Sequence, residues 1–240
     1  MPDHIDTHWG LYLIADPGGT TSAEHVSEVV TESVRGGATV IQVRDKTASD
    51  AVFAEQALRI RGAVSRTVAE PGPHTPFRVP VFVNDRFRVA LRHGFHLHIG
   101  RDDIDYLEAR RRMPGELMIG VSVDEPDYLT DLLTACTDQG VRLPDVIGIG
   151  PVWSNKSRRR QVPPLGTKGV DEIARLALKA GVTSVAVGGI SVDNVQELGV
   201  TAVDGICVSS ALMTSSAPRD TARQLLTRFR PSVIHSELTN

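Results

Sequence analysis

Cysteine is scarce in this 240-residue chain: Cys136 and Cys207 are the whole complement. Two are too few for a disulfide framework and suit a reducing compartment, where both serve as small apolar residues. Aromatic residues make up only 5 %, which leaves little with which to stack successive bases, and a formal net charge of −3 supplies no field to draw in nucleic acid or anionic lipid. Polymeric anions are thereby excluded as partners, and any anion site must be local. Long apolar runs are missing as well. No window of 18 residues is hydrophobic enough to span a bilayer, and residues 1–10 carry Asp3, Asp6 and two histidines where a secretory signal needs a basic stretch and an apolar core. The expectation is a cytoplasmic protein with no membrane partner. Low complexity is excluded by only 21 glycines and 14 prolines, and 41 % apolar residues suffice for one large domain or two small ones.

What is present is order. Eight short runs of β-favouring apolar residues occur at 11–15, 39–43, 79–83, 95–99, 117–121, 145–149, 184–187 and 204–208. Helical spacing fills the gaps at 23–35, 50–68, 86–93, 104–113, 126–138, 170–180, 192–198 and 218–229. In the first of these Val26, Val29, Val30 and Val34 form one stripe and Gly36-Gly37 supplies a stop. Strands that are apolar throughout and alternate with helices predict a parallel sheet covered by helices, and eight repeats predict a single closed (β/α)8 TIM barrel over 1–230. The turn after the first strand, Ala15-Asp16-Pro17-Gly18-Gly19-Thr20, lacks the GxGxxG spacing of a dinucleotide fold. The Pro-rich stretch 70–76 reads as a loop at the bottom of the barrel, and 231–240 as a flexible tail.

In such a barrel reactive groups gather where strands run into their helices. Strand two ends Gln42-Val43-Arg44-Asp45-Lys46, and period-two alternation places Gln42, Arg44 and Lys46 on one side, facing the mouth. Strand three ends Asn84-Asp85, and strand four runs into Gly100-Arg101-Asp102-Asp103. Carboxylates at adjacent strand ends suit Mg2+, which takes one or two protein carboxylates and completes its shell with water and phosphate. Asn or Asp before a helix also suits a simple N-cap. Both readings fit the pattern. His96 and His98 share one face of strand four, but without zinc spacing they read as hydrogen-bonded core histidines.

The loop after strand six, Gly150 onward, resembles a phosphate-binding Walker loop, but Asn155 stands where its second glycine must be and Pro163-Pro164 blocks the helix that should follow. With Lys156, Arg158, Arg159 and Arg160 it reads instead as a loop that closes on a phosphate, or as a solvated loop. Gly188-Gly189-Ile190 after strand seven and Ser209-Ser210 after strand eight let backbone N–H groups approach an anion at the pair of loops where barrels often hold phosphate.

Taken in order, Gln42-x-Arg44-Asp45-Lys46, Val83-Asn84-Asp85, His98-Ile99-Gly100-x-x-Asp103, Gly120-Val121-Ser122, Gly148-Ile149-Gly150-Pro151-Val152-Trp153, Gly188-Gly189-Ile190 and the Ser209-Ser210 turn resemble the thiamine-phosphate synthase family over residues 11–230. The resemblance implies a transferase that condenses a hydroxymethylpyrimidine diphosphate with a hydroxyethylthiazole phosphate and releases pyrophosphate. It implies Gln42, Arg44, Lys46, Asn84, Ser122 and Arg158 for the pyrimidine diphosphate, with Arg44, Lys46 and Arg158 stabilising the leaving charge. Ser157, Gly189, Ser209 and Ser210 fall to the thiazole phosphate, and Asp85 and Asp103 to Mg2+. Three positions depart from the family pattern: Asn155 in place of the usual Thr, Arg101 in place of Gln, and Asp124 in place of His. A thiazole tautomerase-like paralogue, which uses a histidine near position 124 for proton transfer, and a non-catalytic barrel that binds a phosphate ligand are the alternatives.

Overall fold

A run of four or five apolar residues in a strand has two faces to cover, so it pairs with its like in parallel and leaves the connecting helices to wrap the outside. A computed structural model of the chain describes residues 7–17, 22–154 and 163–229. Its strands are β1 (Leu11–Ala15), β2 (Val40–Val43), β3 (Val81–Asn84), β4 (His96–Ile99), β5 (Ile119–Val123), β6 (Val146–Ile149), β7 (Ser184–Val187) and β8 (Gly205–Val208). They close into a parallel barrel in chain order, with Leu13 of β1 paired to Val208 of β8. The helices are α1 (Ala23–Arg35), α2 (Asp50–Ala69), α3 (Phe87–His93), α4 (Tyr106–Arg112), α5 (Pro126–Asp138), α6 (Gly166–Lys179), α7 (Ser210–Met213) and α8 (Pro218–Arg228). A 3-10 helix, Val195–Val200, takes the place of a full α-helix after β7. The expected tail lies outside the described residues.

Side-chain alternation then splits every strand. Tyr12, Val40, Phe82, Val146, Val185 and Cys207 turn to the axis and pack as an inner cluster, closed at the bottom by Trp9, whose ring lies 6.1 Å from Tyr12 and 6.0 Å from Phe82. Residues of the other parity, such as Leu13, Ile41, Val83 and Ile147, belong to the larger core beneath the helices. One step further along the strands most inward positions become polar or small, Ile14 and Val187 excepted. Register sets Ile14 beside Gln42, Asn84 beside His98, and Ser122 beside Gly148. This upper layer is the floor of the mouth.

The expected span of β5, 117–121, is displaced by two residues for an identifiable reason. Arg110 donates to the Leu117 carbonyl at 2.8 Å, and the Ile119 N–H donates to Asp145 at 2.7 Å, so the ladder begins only at Ile119. Arg110 also pairs with Asp145, and Arg142 reaches the same carboxylate at 2.8 Å. This shift carries Ser122 into the strand. The expected helix 192–198 is 3-10 and starts later, because the preceding residues are engaged in a loop described below. The expected helix 170–180 starts four residues earlier, where the Leu165 and Gly166 N–H groups donate to the carbonyls of Pro151 and Val152 at 2.8 and 2.9 Å.

At the foot of β4, His96 accepts the Met118 N–H on Nδ1 at 2.9 Å. Burial lowers its pKa from 6.5 to about 4, with Arg78 acting in the same direction and Asp145 opposing. Below pH 6.5 the unfolded chain takes a proton on His96 that the folded chain refuses. The stability due to the neutral ring is thus complete above pH 6.5 and lost as pH falls to about 4, a difference of about 3 kcal/mol. Urea unfolding of the wild type and His96→Gln at pH 7 and pH 4 should show the wild type losing about that much more than the variant. Parallel losses would assign the acid sensitivity elsewhere.

Candidate active site

Arg44 and Lys46 lie in the loop that follows β2. Neither is a lone rim cation. Arg44 pairs with Asp16, which follows β1, and Lys46 Nζ lies 3.1 Å from the carboxylate of Asp85. Gln42 sits a step lower, buried, and donates from Nε2 to the Tyr12 hydroxyl at 3.0 Å, so it belongs to the floor. Asp45 points elsewhere: it accepts from the N–H and hydroxyl of Thr47 at 2.8 Å, from the Ala48 N–H at 3.0 Å and from Gln56 at 3.4 Å. Burial alone would raise its pKa, yet these bonds hold it below the ordinary carboxylate value. Its work is to shape the β2–α2 loop. Arg86 ties that loop to β3 by donating to the carbonyls of Asp45 and Ala48 and to the Asp50 carboxylate.

For Asp85 and Asp103 the choice between capping and chemistry is decided by what actually caps the helices. The residue at the N-cap of α3 is Arg86, and no side chain caps that end. At α4 the cap is Asp105, which accepts the Glu108 N–H at 3.0 Å. Asp85 and Asp103 instead lie close enough for one carboxyl to act on the other, with Lys46 beside them. Burial, and then the Asp85 carboxyl against it, push the Asp103 pKa up to about 6, although the Gly100 N–H donates to it at 2.7 Å. Asp85 is also the one described non-glycine residue with a left-handed backbone, φ 62°. That conformation is uncommon outside Gly, Asn and Asp and is held here by its N–H donating to the His98 carbonyl at 2.9 Å.

Behind this pair, His98 fills the axis. Its Nε2 lies 3.0 Å from the Ser122 hydroxyl, and its ring meets Tyr12 edge-on at 6.4 Å. Glycines on the next two strands give the ring its room: a Cβ on Gly120 would come within 2.6 Å of Nδ1, and one on Gly148 within 3.4 Å of Cε1. Both histidines of β4 are thus core residues with hydrogen bonds, as the pattern favours. Nothing in the sequence marks His98 as the partner of Ser122, since the residues that touch lie on neighbouring strands.

Arg101 and Asp124, two of the departures from the family pattern, meet. Arg101 reaches from the β4–α4 loop to Asp124 at 2.8 Å and Glu125 at 3.3 Å, and its guanidinium lies 4.4 Å from the centre of the Tyr128 ring. On the other side of the mouth, Gly188 and Gly189 have φ of 105° and 71°, where a side chain is strained. Each backs onto the β6 loop, and a Cβ would lie 2.8 Å from Pro151 or Trp153. Ser209 precedes α7 and its carbonyl accepts the Leu212 and Met213 N–H groups, while Ser210 is exposed. Asn155, Ser157 and Arg158 lie outside the described residues.

Among the described residues no group of three or more His, Cys, Asp or Glu is placed to hold an ion unaided. Two neighbouring carboxylates, one with its pKa raised by burial and by the other, are nevertheless a fitting donor pair for a hard divalent cation that draws the rest of its shell from water and substrate.

A family model for thiamine monophosphate synthase matches residues 11–212. The chain belongs to the thiamine monophosphate synthase family. A thiamine-phosphate synthase of Albidiferax ferrireducens is 33 % identical over 213 residues, covering 87 % of this chain and 86 % of that protein. The solved thiamine phosphate pyrophosphorylase of Pyrococcus furiosus superposes with a TM-score of 0.73 at 28 % identity, over 93 % of this chain and 96 % of that one. The thiamine biosynthesis multifunctional protein ThiED of Corynebacterium efficiens is 39 % identical over 220 residues, 92 % of this chain but only 28 % of that protein. The chain therefore spans little more than a quarter of that relative. The relatives of similar length are named for thiamine-phosphate synthesis, and the solved one carries the barrel found here. Among the described residues no helix is long and apolar enough to cross a membrane.

Proposed function

We propose that this thiamine monophosphate synthase family member condenses 4-amino-2-methyl-5-hydroxymethylpyrimidine diphosphate with hydroxyethylthiazole phosphate, yielding thiamine phosphate and pyrophosphate. The observation that carries the reading is the carboxylate pair Asp85–Asp103, free of any capping duty and flanked by Lys46. In the reaction the bond between the pyrimidine methylene carbon and the diphosphate oxygen breaks, and pyrophosphate leaves with the electron pair. The ring amino group stabilises the resulting cation, and the thiazole nitrogen donates its lone pair to form the new C–N bond. No protein nucleophile is needed and no proton must be removed from either reacting atom. What the chain has to supply is alignment and positive charge at the departing oxygen.

Arg44 and Lys46 bring that charge from the end of β2, and Arg158 is assigned to join them from the β6 loop. Asp85 and Asp103 would hold Mg2+, which when bound neutralises diphosphate charge. Asn84 and Ser122, at the inward-facing ends of β3 and β5, present an amide and a hydroxyl to the pyrimidine, with Gln42 beneath them. His98 holds the Ser122 hydroxyl at 3.0 Å and so fixes where it points. Gly189, Ser209 and Ser210 are assigned to offer backbone N–H groups to the thiazole phosphate, and Ser157 is assigned to the same subsite. A tautomerase-like activity would call for a proton-transferring side chain at position 124. Asp124 is instead tied into an ion pair with Arg101, and in such an enzyme, as in a non-catalytic phosphate binder, the Asp85–Asp103 pair would have no task.

Purified chain given both substrates and Mg2+ should release one pyrophosphate for each thiamine phosphate formed. No pyrophosphate release with both substrates saturating would sink the reading.

A further inference from the structure

The loop after β7 holds three successive peptide planes by named hydrogen bonds. The Gly188 carbonyl accepts the Trp153 N–H at 3.1 Å. Asn194 holds the other two: its Nδ2 donates to the Gly189 carbonyl at 2.9 Å, and its Oδ1 accepts the Ser191 N–H at 2.8 Å. A trans peptide is planar, with its C=O and N–H pointing in opposite directions. To hold the Gly189 carbonyl is therefore to aim the Ile190 N–H, and to hold the Ser191 N–H is to aim the Ile190 carbonyl.

This matters most where a glycine adjoins the peptide, because glycine has no Cβ to resist rotation of the plane. Were the Gly189–Ile190 plane to flip, a carbonyl would face the point where an N–H is needed, and its dipole opposes an approaching phosphate. Asn194 is suited to prevent this because its side chain carries a donor and an acceptor together. Its amide has no other structural duty in the adjoining element, since the 3-10 helix that begins at Val195 receives no side-chain cap from it.

We propose that Asn194 is the positioning residue of the phosphate loop, orienting the Gly189–Ile190 and Ile190–Ser191 peptides so that the Ile190 N–H meets the phosphate of the thiazole substrate. The proposal rests on the synthase reading and identifies the side chain that sets its second subsite. Asn194 touches no substrate and acts through the backbone.

Titration calorimetry of the full chain with hydroxyethylthiazole phosphate tests it, using Asn194→Ala and the isosteric Asn194→Asp, which places an acceptor against the Gly189 carbonyl. The dissociation constant should rise about tenfold in the alanine variant, the worth of roughly one hydrogen bond, and further in the aspartate variant. The KM for the pyrimidine diphosphate should stay within about twofold of wild type, as an effect confined to one subsite requires. If alanine prevents folding, the aspartate variant carries the measurement. An unchanged dissociation constant in the folded variants overturns the proposal. So does an equal rise for both substrates with a lowered Tm, which marks a merely structural role. A wild-type chain that binds no thiazole phosphate overturns the synthase reading and this proposal together, whereas failure confined to the variants leaves that reading standing.

Discussion

Asp85→Asn and Asp103→Asn should each lower pyrophosphate release by about 100- to 1,000-fold while leaving the barrel folded, the range seen when a preorganised electrostatic group is removed. Asparagine is the informative replacement at both positions. Asp85 has a left-handed backbone that Asn tolerates and Ala resists, so Asp85→Ala would confuse strain with chemistry. Asp103 accepts the Gly100 N–H, which the amide oxygen of Asn can still do. Neither residue caps a helix, and the Lys46–Asp85 pair is half exposed, so its loss costs less than about 1 kcal/mol. Removing one of two carboxylates that crowd each other offsets part of that loss. Binding of Mg2+ in the presence of pyrophosphate, followed by calorimetry, should weaken in step with turnover. Full turnover in either variant would refute the assignment of these carboxylates to the metal.

The parts of this molecule that were legible from sequence are those set by local pattern. The bounds of β1, β7, α1 and α5 agree with the apolar periodicity. The apolar run that marks β2 also placed Arg44 and Lys46 just beyond its end. The position of β5 was not legible, since Arg110 and Asp145 set its first ladder bond from elements before and after it. The ambiguity of the carboxylates had the same origin. Asp85 and Asp103 each stand close before a helix, and a pattern of Asp before helix does not say which Asp caps; at α4 the cap is Asp105, two residues on. The pairings that shape the site, Asp16 with Arg44, Lys46 with Asp85 and Arg101 with Asp124, run between neighbouring βα-loops and leave no trace in the spacing along the chain. Asn194 escaped for another reason. Its neighbours in sequence suggest a helix from 192, and only the loop's hydrogen bonds reveal that its side chain turns back to Gly189.

Arg44→Ala should cost about 10- to 150-fold in kcat/KM, the equivalent of about 1.5–3 kcal/mol for a hydrogen bond between charged groups. Part of that loss would come from what is left behind. Ala15 and Val43 are register partners on β1 and β2, so Asp16 and Arg44 leave their strands side by side, and the carboxylate balances the guanidinium. Without Arg44, the mouth keeps the Asp16 charge, now lacking the guanidinium, beside the place assigned to a diphosphate. Arg44→Ala/Asp16→Asn should therefore recover about fivefold over Arg44→Ala, a coupling of at least about 1 kcal/mol, of the size found between contacting residues. Arg44→Lys should rescue poorly, because an ammonium cannot grip a carboxylate on one side and a phosphate on the other with a planar fork. Asp16→Asn alone should lose less than Arg44→Ala, since the guanidinium that meets the substrate is still present. Losses that simply add in the double variant would show that Asp16 does not act through Arg44, and the role given to their ion pair would fall.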